Sequence, residues 1–332
     1  MNHYDKLVLQ KGPTAFFDEY MAFERTELPE ASVLYPKKEI GQGHIAQYHP
    51  APGLFISLPQ VTFHKSIALP FEMEQRRMEF CLFDSGRVEI TCQGRKPETV
   101  GQAVYFYSNH PHRGTICYTP HIPLRGITLM LTEEYIQTHY ERPLSSVEFS
   151  YKNTLQWKTE DYNAPEVIFI LQQIKSRLAA GPLPWLYIKS KVGELVSLVQ
   201  MNYANRLARK NAALAGLPRG DREAAERARQ EIDENLGRTS IAALCRLCTT
   251  NESKLRKTFK ALYGMPPGEY VVKAKMKKAL ILLNAEGESI AGVAGALGYA
   301  NASKFAAAFK KYCGITPRQY RKGTPLGYGH FL

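Results

Sequence analysis

Long apolar runs are missing from this chain of 332 residues: the longest cover a handful of positions, where a membrane-spanning helix needs about 20. Missing too, near Met1, is a charged stretch followed by an apolar one. No secretory signal is therefore expected, and the protein is expected to be cytoplasmic with no membrane partner. Cysteines are few and scattered (Cys81, Cys92, Cys117, Cys245, Cys248 and Cys313), with no framework spacing, and read as reduced thiols. The most informative scarcity is of negative charge. Residues 238–322 hold 4 Asp+Glu against 16 Lys+Arg, whereas residues 1–237 hold 27 of each. The whole net charge of +12 thus sits on one C-terminal segment. Basic charge at that density is the footprint of a polyanionic partner.

The basic segment repeats itself. Ser240, Ile241 and Ala242 recur as Ser289, Ile290 and Ala291 at a spacing of 49; Ser253, Lys254, Phe259, Gly264, Pro267 and Tyr270 recur as Ser303, Lys304, Phe309, Gly314, Pro317 and Tyr320 at a spacing of 50. One supersecondary unit is used twice, the second time with one more residue in its turn. In each copy a Ser caps a short helix, whose apolar positions are Ile241, Leu244 and Leu247, then Ile290, Val293 and Leu297. After a brief break a second helix carries Leu255, Phe259 and Leu262, or Phe305, Phe309 and Tyr312. Gly264 and Gly314 fit left-handed caps with Pro shortly beyond. Two short helices and a tight turn make a helix-turn-helix, whose second helix enters a DNA major groove. Lys254, Arg256, Lys257, Lys260, Lys304, Lys310 and Lys311 fall on the exposed faces of the second helices. A helix from Pro267 to about Ala285 would join the copies; at about 28 Å it would hold two recognition helices near the 34 Å spacing of successive major grooves.

On these residues, and on the closing GITPRQYR of Gly314–Arg321, the last hundred residues resemble the DNA-binding domain of the AraC/XylS family of transcription regulators. The resemblance implies base reading from Ser253, Arg256 and Lys257 in the first unit and from Ser303, Lys304 and Ala307 in the second. The family usually has Arg where Ala307 stands, so specificity is expected to lean on the first helix. The second is expected to supply mainly phosphate contacts. The stretch SKFAAAFKKYCGITPRQYR, with LFDSGRVEI upstream, resembles the branch that senses iron–siderophore complexes, the pyochelin-type regulators.

Upstream, residues 1–50 read as polar and irregular, with one helix from Thr14 to about Arg25. From Leu54 to Leu131 the period changes to two. Phe55–Leu58, Val61–Ile67, Met78–Phe83, Arg87–Gln93, Val100–Tyr107, Gly114–Tyr118 and Leu124–Leu131 are the expected strands. Many short antiparallel strands argue for a barrel or jelly roll, and in the resembling family this position holds a cupin-like barrel that binds a small effector. Arg76, Arg77, Tyr105, Tyr107, His112 and Arg113 are candidates to line its mouth, suited to an acidic or aromatic ligand. The HxH of His110 and His112 raises the alternative of a metal-dependent cupin enzyme, although no Glu follows at the spacing such a site needs. The CxxC of Cys245 and Cys248 has no second pair to complete a zinc set. Neither cofactor nor resident metal is expected.

Residues 132–215 turn helical, with stripes over Pro165–Ala180 and Trp185–Arg209; in the resembling family such helices also form a homodimer interface. Asn211–Arg219 reads as a linker, and Asp221–Asn235 as the first helix of the last domain. The expected architecture is multidomain: an all-β cupin-like barrel with an N-terminal arm over residues 1–145, a helical dimerisation and linker region over 146–215, and an all-α domain with two helix-turn-helix motifs over 219–323. The expected function is an effector-responsive, sequence-specific DNA-binding regulator. Its partners would be double-stranded DNA, RNA polymerase, a small-molecule effector such as an iron–siderophore complex, and a second copy of itself. Besides the enzyme, a constitutive DNA binder whose barrel only dimerises stands as an alternative.

Overall fold

The computed structural model describes residues 17, 21, 23–28, 31–73, 76–92, 97–101, 104–108, 112–140, 154, 156–157, 159–180, 185–236, 240–283, 288–313 and 315–321. Among the described residues eleven strands come first: β1 Glu24–Leu28, β2 Ala31–Tyr35, β3 Gly41–Ala51, β4 Leu54–Phe63, β5 Ile67–Met73, β6 Arg77–Ser85, β7 Val88–Cys92, β8 Glu98–Val100, β9 Val104–Ser108, β10 His112–Tyr118 and β11 Leu124–Thr132. The helices are α1 Glu133–His139, α2 Thr159–Tyr162, α3 Pro165–Ala179, α4 Trp185–Gly216, α5 Arg219–Glu234, α6 Ile241–Leu247, α7 Glu252–Tyr263, α8 Pro267–Leu282, α9 Ile290–Ala296, α10 Ala302–Cys313 and α11 Pro317–Arg321. The chain divides into two units, Met1–Asn163 with Ile170–Val196, and Ala164–Phe169 with Ser197–Leu332, so the boundary falls inside both α3 and α4.

The first unit is built on two antiparallel sheets, one of order β1-β2-β3-β4-β11-β6-β9 and one of order β5-β10-β7-β8. Alternation along each strand sends one face inward, and the two inner faces share a core. Leu34, Ile45, Phe55, Val61, Phe63 and Met130 of the larger sheet meet Leu69, Phe71, Val88, Val100 and Tyr118 of the smaller, with Phe17 and Phe23 packed in from the N-terminal arm. The outer face of the larger sheet is buried as well. Met78, Phe80 and Leu82 of β6 are all fully buried, and the α3 and α4 side chains Leu171, Ile174, Ile188, Val192 and Leu195 are likewise at zero exposure. Between them lies Asp84, 2% exposed, which accepts from Gln172 Nε2 at 2.7 Å and pairs with Lys175.

The expected fold class is the observed one, with local differences. Residues 24–28, 31–35 and 41–51 are not irregular: as β1, β2 and β3 they add three strands to the sheet, and the helix expected to reach Arg25 has given way to β1 by Glu24. The expected pair Phe55–Leu58 and Val61–Ile67 is one strand, β4, that ends at Phe63 before β5 begins at Ile67. Pro59 does not break it because it sits where pairing with β11 is interrupted, between Gln60 and Ser57, so its missing N–H is not needed there. The expected linker Asn211–Arg219 is helical to Gly216, since α4 continues for its full 32 residues and only Leu217 and Pro218 separate it from α5.

The second unit holds the helix-turn-helix pair. Ala224, Ala225, Ala228 and Ile232 of α5 close one core with Leu244, Cys248, Leu255, Phe259 and Ala274. Leu247, expected inside, is 52% exposed; its place belongs to Cys248, one residue on. In the second hairpin Val293, Leu297, Phe305, Phe309 and Cys313 are buried. Tyr320 of α11 donates to the carbonyl of Leu280, and Arg321 to those of Leu283 and Glu288, fastening this hairpin to the end of α8.

Two outcomes follow. Asp84→Ala strips a buried partner from Lys175 and Gln172 and should lower stability by about 3 kcal/mol in denaturant unfolding, with Asp84→Asn intermediate. Burial pushes the Cys313 thiol up to about 12 and raises those of Cys81 and Cys248, so all three are protonated, unreactive thiols at pH 8. Native alkylation at that pH, read by mass spectrometry, should label Cys92, Cys117 and Cys245, which are partly exposed, and spare the other three.

Candidate nucleic-acid interface

Each recognition helix is set by a local capping device. In the first hairpin Ser240 caps α6 by accepting from the Ala243 N–H at 3.1 Å, and Asn251 caps α7 by accepting from the Lys254 N–H at 2.8 Å. In the second, Ser289 accepts from the Gly292 N–H at 2.8 Å and Asn301 from the Lys304 N–H at 2.9 Å. The turns differ by the one residue expected: Cys248–Asn251 against Leu297–Asn301. Each turn reverses through a left-handed residue, Gly298 at φ 71° and, in the first copy, Thr249 at φ 51°. A β-branched side chain is strained in that region. At the far end of α7, Gly264 takes φ 79° and its N–H reaches the Lys260 carbonyl, as the sequence led us to expect.

Helical spacing then gathers the site residues. On α7, Ser253, Arg256, Lys257 and Lys260 stand at i, i+3, i+4 and i+7, all exposed, opposite the buried Leu255, Thr258 and Phe259. On α10, Ser303, Lys304, Ala307, Lys310 and Lys311 share the exposed face opposite Phe305, Phe309 and Cys313. The partners of these cations differ. Arg256 is held by Glu252 one turn earlier, Nε–Oε1 2.8 Å, and Lys254 pairs with Asp221 of α5 at 2.8 Å. Among the described residues, no ion pair engages Lys257, Lys260, Lys304, Lys310 or Lys311. Five cations without counter-ions on two exposed helix faces are suited to phosphate.

Several contributors were not read from the sequence. Arg246, Thr249, Thr250 and Asn251 line an open trough of about 580 Å³ with Cys245 and Lys254, beside the N-terminus of α7. The signal was there: an Asn three residues before a Lys, at the start of an apolar stripe. Behind α7, α5 supplies the positioning. The Tyr263 hydroxyl donates to Glu226 at 2.5 Å and that of Tyr270 to Asp233 at 3.1 Å, while Arg229 bridges Glu226 and Asp233 at 2.8 and 2.7 Å. Burial, with these carboxylates behind it, raises both phenols well above the ordinary range, so they stay neutral donors. The linking helix α8 has 16 residues, about 24 Å at 1.5 Å each, shorter than expected because its described helix ends at Leu282.

The candidates in the first unit separate. Arg77 is buried, its Nε 2.6 Å from Glu79 Oε1 in an ion pair. Tyr107 lines an interior cavity of about 130 Å³ together with Ser57, Glu79, Cys81 and Thr128. Tyr105 stands on the same inward face but turns its hydroxyl to the Gly101 N–H, 2.9 Å away. Arg113 does not line the cavity: alternation on β10 turns Ile116 and Tyr118 inward, and Arg113 pairs outside with Glu72 of β5. Arg76 is also outside, donating to Glu133 at 3.2 Å. His110 and the His112 side chain lie outside the described residues, and with them the HxH metal alternative. Among the described residues, no group of three or more His, Cys, Asp or Glu is placed to hold a metal ion.

Comparison with known proteins bears on both units. Residues 42–214, just over half of the chain, match the family described as regulatory protein PchR N-terminal domain, and residues 244–323 match a helix-turn-helix domain. An uncharacterized HTH-type transcriptional regulator of Haemophilus influenzae is 31% identical over 86 residues, 26% of this chain and 29% of that protein. The HTH-type transcriptional regulator MtrA of Neisseria gonorrhoeae is 26% identical over 115 residues, 34% and 38% of the two chains. The F1 operon positive regulatory protein of Yersinia pestis is 35% identical over 94 residues, 28% and 31%. The chain spans about a third of the length of these curated relatives. Among solved structures, the C-terminal domain of AraT, a response regulator from Geobacillus stearothermophilus, is 26% identical over 33% of this chain and 93% of its own, at a TM-score of 0.30. The chain belongs to the AraC-type helix-turn-helix regulators, in the branch that carries the PchR regulatory N-terminal domain.

Proposed function

We propose that this protein is a sequence-specific transcription regulator that grips double-stranded DNA with α7 and α10 and answers to a small effector held in its barrel. The observation that carries the reading is the pair of capped helices with five exposed lysines free of ion pairs among the described residues. Counterion release from phosphates is the dominant driving force for such a surface. Arg256, with its forked guanidinium, is the base reader best suited to the O6 and N7 of a guanine, and Lys257 and Ser253 flank it on the same face. The alanine run of Ala306, Ala307 and Ala308 leaves α10 a phosphate clamp, with Lys304 beside the cap. That relatives include a protein named a positive regulatory protein supports an activator, with RNA polymerase as a partner. A homodimer through the helices of residues 146–215 and a cytoplasmic location complete the reading, and an effector shifts the population competent for promoter binding.

Binding of the full chain to a fragment selected from genomic DNA, followed by fluorescence anisotropy across a salt series, tests this. Log K should fall linearly with log salt, by about 0.9 for each phosphate neutralised. Arg256→Ala should cost about tenfold or more on the preferred sequence and little on random DNA, relaxing one half-site. Lys310→Ala should weaken all sequences alike and flatten the salt slope by about 1. Equal losses on every DNA from Arg256→Ala would remove that residue from base reading.

A second outcome follows from the Glu252 contact. Glu252→Gln releases Arg256 and removes the one carboxylate on the exposed face of α7, so affinity should rise about two- to fivefold at moderate salt, on the scale of one exposed pair. The same variant should lose a little thermal stability, because an acidic residue in the first turn favours the helix dipole. Unchanged affinity would show that Arg256 leaves Glu252 at no cost when DNA arrives.

A further inference from the structure

The inward face of the larger sheet carries a row of polar residues that lies in one register line. Gln47 on β3 is opposite Ser57 on β4, Ser57 opposite Thr128 on β11, Thr128 opposite Cys81 on β6, and Cys81 opposite Tyr105 on β9. Inward positions of a small barrel are ordinarily apolar, and a buried hydroxyl there is costly without a partner. Thr128 has one, its hydroxyl donating to the Cys81 sulfur at 3.6 Å. Ser57 does not: the residue is 2% exposed and its Oγ is buried without a hydrogen bond among the described residues. Both face the cavity of about 130 Å³, whose opposite wall is the apolar Val88, Ile90, Val100 and Ile116 of the smaller sheet.

We infer that this cavity takes a neutral ligand of one aromatic ring bearing a single hydroxyl or N–H group, the ring against the aliphatic wall and the polar group on Ser57 Oγ. Size sets the ring, since an apolar cavity of about 150 Å³ holds benzene, whereas drug-sized ligands occupy about 300–1,000 Å³. An iron–siderophore complex, implied by the resemblance, belongs to the larger class and does not fit this space. Charge sets the neutrality. The buried Arg77 already faces Glu79, so an anionic ligand would bring a second carboxylate beside Glu79 with no cation of its own. A cationic ligand meets the converse problem, because Arg77 compensates the Glu79 charge. The inference rests on the effector reading above and names what that site accepts.

Calorimetric titration of the full-length protein with phenol, benzene and benzoate tests it. Phenol should bind one to one and about fivefold tighter than benzene, the scale of one buried hydrogen bond, and benzoate should not bind. In Ser57→Ala the phenol-to-benzene ratio should fall to about one with benzene affinity kept. Ile116→Trp, which fills the cavity, should abolish binding of both; if it fails to fold, Ser57→Ala decides alone. Failure of phenol to bind, benzoate binding as tightly as phenol, or a ratio indifferent to Ser57→Ala overturns the ligand class. Phenol seated in the cavity with unaltered DNA affinity overturns the effector reading and leaves the ligand class standing. A metabolite or iron–siderophore complex that changes DNA affinity in wild type and Ser57→Ala alike, with no phenol binding, does the reverse.

Discussion

Sixteen cations against four carboxylates within residues 238–322 is the constraint around which the DNA-binding unit is arranged. Like charges at that density repel, and a compact unit needs counter-ions somewhere. One comes from α5, outside the repeat, where Asp221 takes Lys254; Glu226 and Asp233 of the same helix hold Arg229 and accept from the neutral Tyr263 and Tyr270. Asp233 also draws on Lys277, whose ammonium is pushed down by burial. All these carboxylates act on the side of α7 away from its recognition face or at its first turn. Only Glu252 stands on that face, against Arg256. Charge is thus neutralised where the scaffold is packed and left bare where the helix is exposed.

The two hairpins share a skeleton and differ in surface. Both have a Ser cap, an Asn cap three residues before a Lys, and buried aromatic or aliphatic residues one turn apart. The second relaxes the strain of the first turn, with Gly298 in place of Thr249, and carries small residues along α9 and α10. Lys275 lies over the ring of Tyr299 at 5.1 Å, closing the second turn with a cation–π contact where the first has an open trough. A hairpin with a strained polar turn and a forked Arg is suited to discrimination. One with alanines and lysines is suited to adhesion.

What the sequence made legible follows from range. Caps, helical stripes and the repeat are local, so both helix-turn-helix units could be read to within a residue or two, Leu247 being displaced by its neighbour Cys248. Strands β1 to β3 were not legible, because the buried positions of β3 include the polar Gln47 as well as Ile45, and no alternation of polar with apolar survives. The linker was misread because Ala-rich NAALAG favours continuing the helix over stopping it. The polar row was beyond reach altogether: Gln47, Ser57, Cys81, Tyr105 and Thr128 become neighbours only once the register of five strands is known.

Strand β6 is the element on which an effector would have to act. Its odd residues Arg77, Glu79 and Cys81 belong to the barrel interior, and its even residues Met78, Phe80, Leu82 and Asp84 are buried on the other face. Packed on both sides, it has no fully exposed side chain, and close-packed interiors transmit displacement rather than dissipate it. Asp84 fixes it to Gln172 and Lys175 of α3, the helix within which the boundary between the two units falls. A ligand changes DNA binding only through contacts that differ between competent and incompetent states. Asp84 of β6, buried on the outer face, pairs with the partly exposed Lys175 of α3, so a ligand touching Glu79 or Cys81 acts one residue-layer from α3.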